Sequence, residues 1–320
     1  MIYTQIIGTG SYLPEKVLTN ADLEKIVETT DQWIVERTGI HRRHIAADHE
    51  TTASLAKEAA LRAIAAANIS KDEIDLIIVA TTTPDRVFPG TATLVQRELG
   101  IQGCPAFDVQ AVCTGFVYAL TIAERFIRSG SNKCALVIGA ETMSRILDWK
   151  DRTTCVLFGD GAGAVIVKAS DAPGILSSHI HADGQYRDWL TVPSGVSELP
   201  QKTEDRYVQM EGKQVFKFAV NILGSMVEET LEGSGIQKQD VDWLVPHQAN
   251  IRIILATAKK LDFSMDKVIV TVADHGNTSA ASIPLALDVG IRDGRIKKGD
   301  TLLLEAIGGG FTWGSILLKY

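Results

Sequence analysis

The chain has 320 residues, 45% of them apolar and 22% charged, a length and balance that suit one large or two ordinary domains with substantial cores. Its net charge of −7 argues against general nucleic-acid binding, and no apolar run is long enough to span a bilayer. The opening MIYTQIIGTGSYLP lacks a basic flank followed by a long apolar core, so it predicts a first strand and a turn rather than a secretory signal, and the expected compartment is the reducing cytosol.

Strand-like and helix-like patterns then alternate along the chain. A helix is predicted over 51–67, a strand over 76–80, a helix over 93–99 and a strand over 106–109. A helix over 115–128 follows, almost wholly apolar from Phe116 to Ile127 and therefore buried. Strands are predicted over 135–138 and 164–167, a helix over 215–232, a strand over 243–245 that Pro246 ends, and a helix over 250–261. Two more strands are predicted over 268–272 and 301–304. Such alternation argues for α/β layers with largely buried sheets.

The chain also resembles itself. KDEIDLIIVATTTP (71–84) matches KQDVDWLVPHQAN (238–250), each running from an acidic turn through a strand into a polar loop. DVQAVCTGFVYALTIAERFIRSG matches DHGNTSAASIPLALDVGIRDG, with 17 residues from Cys113 to Gly130 and 17 from Asn277 to Gly294. CALVIGAE…FGDGAGAVIVKAS matches TLLLEAIGGGFTWGSILLKY. Three matches in the same order predict a duplicated α/β unit, 1–172 and 173–320. Cys113 and Asn277 then stand at equivalent positions, each at the start of a buried helix.

Of the four cysteines, Cys104, Cys113, Cys134 and Cys155, none forms a CxxC pair, and their spacing fits neither a zinc site nor a disulfide framework. Cys113 stands apart because it lies between a strand and a buried helix. The partial positive charge of a helix N-terminus is expected to favour its thiolate, although a packed core cysteine fits the same run. His247 lies just past a strand's carboxyl end, where α/β proteins place ligands. Asn277 follows Gly276, which permits an unusual backbone angle, and helix capping is its plainer role. Neither Gly-rich stretch, 159–163 or 308–310, reads as a phosphate loop; both suit tight turns, and the second offers N–H groups as oxyanion donors. Cysteine, histidine and asparagine together suggest thioester chemistry. Papain-type hydrolysis uses the same three types, but the sequence around Cys113 is not of that kind.

The motifs GTGSYLPE, DQWIVERTGI, CPAFDVQAVCTGF, LFGDGAGA, DWLVPHQANIRII, HGNTSAAS and GGGFTWGS together resemble the β-ketoacyl-acyl carrier protein synthase III family over essentially the whole chain. The resemblance implies a thiolase-like α/β fold with duplicated halves and central helices buried between two sheets, a five-layer αβαβα arrangement. It implies a homodimeric, cytoplasmic acyltransferase that starts type II fatty acid synthesis, with no metal and no cofactor beyond the coenzyme A thioester substrate. Cys113 is acylated from a short acyl-coenzyme A, acetyl-coenzyme A foremost, and the acyl group then condenses with malonyl-acyl carrier protein with loss of carbon dioxide. His247 and Asn277 complete the triad, and the N–H groups of Cys113 and Gly309 form the oxyanion hole. Coenzyme A contacts carry over to Thr29, Trp33, Arg37, Arg152, Met210, Gly212, Phe216, Ala249 and Asn250. The acyl pocket carries over to Phe88 and Met143, completed by the partner subunit.

Carrier-protein docking is expected at Lys217, Arg252, Lys259 and Lys260. The last three share a helix face opposite an apolar stripe of Ile251, Ile254, Leu255, Ala258 and Leu261. Gln110, Val112 and Glu211 depart from the family pattern and bear on pocket and tunnel. The alternatives are a synthase of the same fold in secondary metabolism and a non-catalytic subunit that binds acyl chains; the latter is expected to lack the nucleophile.

Overall fold

Residues 2–320 are described by a computed structural model in which two large sheets carry the fold. The first holds β1 (Tyr3–Tyr12), β2 (Leu76–Ala80), β3 (Ala106–Val109), β4 (Cys134–Thr142) and β5 (Asp160–Ser170), in the order β1-β5-β4-β2-β3. The second holds β6 (Ile175–Ala182), β7 (Trp243–Pro246), β8 (Thr301–Gly308) and β9 (Thr312–Lys319), in the order β6-β9-β8-β7. The helices that matter for the site are α1 (Asp31–Thr38), α2 (Thr52–Ala67), α3 (Thr91–Leu99), α4 (Gly115–Arg128), α5 (Gly212–Leu231), α6 (Ile251–Lys260) and α7 (Ser282–Arg292).

Continuous apolar runs put the inner strands at the centre. Every residue of β2, β4 and β8 is buried, as expected of strands covered on both faces. The central helices α4 and α7 lie between the sheets. Phe116, Leu120 and Ile127 of α4 and Ile283 and Leu287 of α7 share one core with Ile78 and Val137 of the first sheet and Leu302 and Leu304 of the second. Helices α2 and α3 cover the outer face of the first sheet through Ala59, Ala63 and Val95 against Ile77, Leu136 and Ile138. Helix α6 and the end of α5 cover the second sheet through Ile254, Ala258 and Val227 against Leu244, Leu303 and Leu317. The result is the αβαβα layering expected from the resemblance.

The alanine-rich face of α2 approaches β1 closely. A Cβ added at Gly10 would stand 2.3 Å from the Ala59 carbonyl oxygen, so only glycine fits there. Thr51 begins α2 by accepting from Ser54 N, whose side chain in turn bonds the Thr51 N–H.

The two sheets share one pattern of strand directions. In the first, β1/β5 and β5/β4 are antiparallel, while β4/β2 and β2/β3 are parallel. In the second, β6/β9 and β9/β8 are antiparallel and β8/β7 is parallel; a parallel bridge between Leu244 and Val268 stands where the fifth strand would be. The strand expected over 268–272 is thus reduced to one bridge, and a helical turn takes over at Val272–His275. The cause is Gln248. Its Nε2 donates to Ile269 O, and its Oε1 accepts from Thr271 N and Val272 N, so one side chain takes up groups a ladder would otherwise pair.

The expected register of the repeat also needs correction. Residues Val112–Thr114 form one 3₁₀ turn before α4, and Ser279–Ala281 form one before α7. Each turn begins on a residue with positive φ, Val112 at 47° and Ser279 at 49°. Cys113 is therefore the counterpart of Ala280, not of Asn277. The match at Gly130 and Gly294 (φ 80° and 81°) holds at the far ends of the helices, and α7 is three residues shorter than α4 (11 against 14).

Candidate active site

Cys113 sits in the 3₁₀ turn ahead of α4 and is 3% exposed. The β8–β9 turn packs directly on it. A Cβ at Gly308 would stand 2.7 Å from Ala111 O and 2.8 Å from Cys113 N. Thr114 Oγ1 donates to Thr312 O (3.0 Å), and Thr312 Oγ1 donates to Ala111 O (2.9 Å), pinning the two segments together. In the first turn the Cys113 N–H lacks an intrahelical acceptor and is free to act as a donor.

The sequence suggested a thiol poised toward thiolate. Burial instead pushes Cys113 up to about 12; the nearby Glu141 carboxylate raises it further and a hydrogen bond with Ser279 opposes the rise. A helix start in a dry site does not recover what the thiolate loses in hydration.

His247 follows β7, held by donation of its N–H to Glu305 O at 2.8 Å. Its ring is buried, which lowers its pKa to about 3 and keeps the imidazole neutral. Nδ1 lies 2.6 Å from Ser282 Oγ, the first residue of α7. Asn277 caps no helix. Its backbone bridges to Phe158, and its Oδ1 accepts from Ser279 N at 2.9 Å. Among the described residues the amide Nδ2 has no acceptor and is left as its free donor.

Cys113, His247 and Asn277 all line one cavity of about 490 Å³. Arg37, Met210, Gly212, Phe216, Ala249, Asn250 and Arg252 line it as well. Asn250 also begins α6, its Oδ1 accepting from Ile253 N. Thr29, Trp33 and Arg152 lie outside this lining. Trp33 is flanked by two guanidinium groups, Arg37 at 5.7 Å and Arg152 at 5.1 Å from the ring centre, and Arg152 Nη1 donates to Glu28 O. Thr29 is the residue before the cap of α1.

A second cavity, about 570 Å³, is also lined by Cys113. Met143, Gln110, Val112 and Gly309 line it, so two of the three departures from the family pattern face this space. The third, Glu211, is exposed just ahead of α5 and lines neither cavity. Phe88 is likewise absent from both: it is 82% exposed on this chain.

Lys217 and Lys259 are exposed, and Arg252 stands over the Phe216 ring at 5.5 Å. Lys260 is committed elsewhere, its Nζ donating to Val220 O and Asn221 O of α5. The apolar stripe of α6 also differs from expectation. Leu255 is 45% exposed, and Ile253 and Thr257 are buried in its place. The helix packs under two elements, α5 and the second sheet, so its buried face keeps Ile254, Ala258 and Leu261 and extends to Ile253 and Thr257, away from Leu255.

Sequence reasoning missed the groups that surround Cys113, His247 and Asn277. Glu141, buried in β4, accepts from Thr81 Oγ1, Thr82 N, Thr83 N, Thr83 Oγ1 and Ser279 Oγ, tying the loop after β2 to the turn before α7. Burial raises its pKa against the pull of these bonds. It was hidden because its partners lie about sixty and more than a hundred residues away. The match of β4 with β8 gave no sign of it. Phe158, which lines both cavities, and Ser282 were missed for the same reason.

Two family models match, 3-oxoacyl-[acyl-carrier-protein] synthase III over residues 107–184 and its C-terminal region over residues 231–320. The chain is 64% identical to β-ketoacyl-[acyl-carrier-protein] synthase III of Thioalkalivibrio sulfidiphilus and 62% identical to that of Thiobacillus denitrificans, covering 100% of both chains in each case. The crystal structure of 3-oxoacyl-[acyl-carrier-protein] synthase III from Aquifex aeolicus VF5 superposes with a TM-score of 0.93 at 50% identity, over 99% of this chain and 100% of that one. Cys113, buried at a helix start and lining two cavities, shares one of them with His247 and Asn277, in a chain that belongs to the β-ketoacyl-[acyl-carrier-protein] synthase III family, the initiating condensing enzymes of fatty acid synthesis.

Proposed function

We propose that Cys113 takes a short acyl group, acetyl first among them, from acyl-coenzyme A and passes it to malonyl-acyl carrier protein. The observation that carries this reading is that Cys113 lines two cavities, one lined also by His247 and Asn277 and the other by Met143. The first cavity is read as the tunnel for the pantetheine arm and the second as the acyl pocket.

In the first half-reaction the Cys113 sulfur attacks the thioester carbonyl. The tetrahedral oxyanion is held by the N–H groups of Cys113 and Gly309, and the thiol proton ends on the departing coenzyme A sulfur. In the second, carbon dioxide leaves the malonyl group and its bonding pair remains on the α-carbon. The enolate oxygen is held by the His247 and Asn277 donors while the α-carbon attacks the acyl-cysteine. Collapse returns the thiolate, which takes up a proton. Preorganised donors in a dry site are worth about 10²–10³ in rate each.

Trp33 and Arg152 take the adenine between them, which requires the Arg152 guanidinium to swing from its place over the ring. Thr29 borders that end, and Arg37 faces phosphate. Lys217, Arg252 and Lys259 form the docking face for an acidic carrier protein, with Lys260 supporting the α5–α6 contact. A homodimer supplies Phe88 of a second copy to the acyl pocket, which accounts for its exposure on the single chain. Residues 1–172 supply the nucleophile, and 173–320 supply His247 and Asn277. The reaction takes place in the cytoplasm and uses no metal.

The test is product formation from acetyl-coenzyme A and malonyl-acyl carrier protein. 3-Ketoacyl-acyl carrier protein made by the parent and lost in folded Cys113→Ser supports the reading; full activity of that variant overturns it.

A further inference from the structure

His247 has to present a hydrogen-bond donor to the forming enolate, and a neutral imidazole carries only one N–H. A proton on Nδ1 would leave a lone pair on Nε2 facing the new negative charge. Which nitrogen is protonated is set by the partner of the other one. Here the partner of Nδ1 is Ser282 Oγ at 2.6 Å, 2% exposed and fixed at the first position of α7.

The hydroxyl has one proton to give. Among the described residues its other bond is one it accepts, from Gln248 N at 3.3 Å. Were Nδ1 the donor, the Ser282 proton would be buried without an acceptor; with Ser282 donating to Nδ1, every group at the junction is satisfied. Asn277 is arranged on the same logic. Its oxygen is occupied by Ser279 N, which leaves the amide N–H to the cavity. Both side chains thus have their acceptors filled from behind and their donors free in front.

We propose that Ser282 is a positioning residue for the condensation step: its hydroxyl donates to Nδ1 of His247 and holds the ring as the Nε2–H tautomer that the enolate needs. This rests on the reading of His247 given above. Ser282 touches no reacting atom, and its effect is confined to the half-reaction that develops charge at His247.

Two measurements on the intact protein test it. The first is the tautomer, read by ¹⁵N NMR of histidine-labelled protein with His247 assigned by its absence in His247→Gln. A pyridine-like Nδ1 and a protonated Nε2 are expected in the parent, with the Nδ1–H form appearing in Ser282→Ala. A protonated Nδ1 in the parent overturns the proposal, as does an unchanged pattern in Ser282→Ala. The second is the split between half-reactions. Ser282→Ala is expected to lose at least about tenfold more in decarboxylation of malonyl-acyl carrier protein than in acetyl transfer from acetyl-coenzyme A. Equal losses in both point to a general packing role and overturn it. If His247→Gln leaves decarboxylation intact, the reading of His247 itself fails, and the NMR pattern still decides whether Ser282 sets the tautomer.

Discussion

Thr114 and Thr312 hold each other's segments by crossed hydrogen bonds: the Thr114 hydroxyl reaches the Thr312 carbonyl, and the Thr312 hydroxyl reaches the carbonyl of Ala111, three residues before Thr114. The β8–β9 turn of the second sheet is thereby fixed against the nucleophile turn ahead of α4. Gly308 lies at the closest approach. Gly308→Ala drives a methyl group into the backbone of residues 111–114. The expected cost is about 1–3 kcal/mol of stability and about a hundredfold in acetyl transfer through displacement of Cys113. Thermal melting and single-turnover acylation check both; wild-type rates would show that the turn tolerates a shift.

Burial, not the helix start, sets the state of the free thiol. With Cys113 pushed up to about 12, its alkylation by iodoacetamide should climb about tenfold per pH unit from about 7 to about 10 with no plateau. A plateau already reached near 7 would mean a resident thiolate. The thiol form also suits the first half-reaction, in which the proton leaves with coenzyme A.

Glu305 is buried in β8 with neither carboxyl oxygen partnered among the described residues, and burial raises its pKa from 4.5 to about 8. The folded state keeps a proton that the unfolded state gives up. Stability from this group is therefore present at low pH and falls as pH rises between those two values, by up to about 1.4 kcal/mol per unit. Glu305→Gln removes the dependence. Its melting temperature relative to the parent should rise steadily from pH about 5 to about 8; parallel curves would contradict this.

Under the proposed function, the exposed cations Lys217 and Lys259 are assigned to the carrier protein and not to coenzyme A. The double variant Lys217→Glu, Lys259→Glu should raise KM for malonyl-acyl carrier protein about tenfold, with the gap narrowing in salt. Acetyl transfer from acetyl-coenzyme A should change less than about twofold. Equal effects on both substrates would place these lysines elsewhere.

Much of this was legible because burial leaves a clear trace in sequence. The run Leu76–Ala80 and the helix Gly115–Arg128 have the bounds expected of them, since a strand covered on both faces and a helix between two sheets read as unbroken apolar stretches. The edge strand Ala106–Val109, half-buried throughout, also has its expected bounds. The segment at Val268 is apolar too, but its backbone groups are taken by a glutamine twenty residues earlier, which no local pattern reveals. The same limit hid Glu141 and Ser282. Their roles depend on residues brought together by the topology, and a buried serine at a helix start looks like any other small residue. Leu255 shows the reverse error: periodicity marked it together with Ile254, Ala258 and Leu261, which are buried, but packing against α5 and the second sheet buries Ile253 and Thr257 and leaves Leu255 exposed.

The central claim is that Cys113 alone accepts the acyl group. It is tested most directly by incubating the protein with acetyl-coenzyme A, without carrier protein, and mapping the adduct by peptide mass. One acetyl group on the Cys113 peptide, with Cys104, Cys134 and Cys155 unmodified, is the result predicted. No adduct from acetyl or any other acyl-coenzyme A, or an acetyl group on another cysteine, would contradict it.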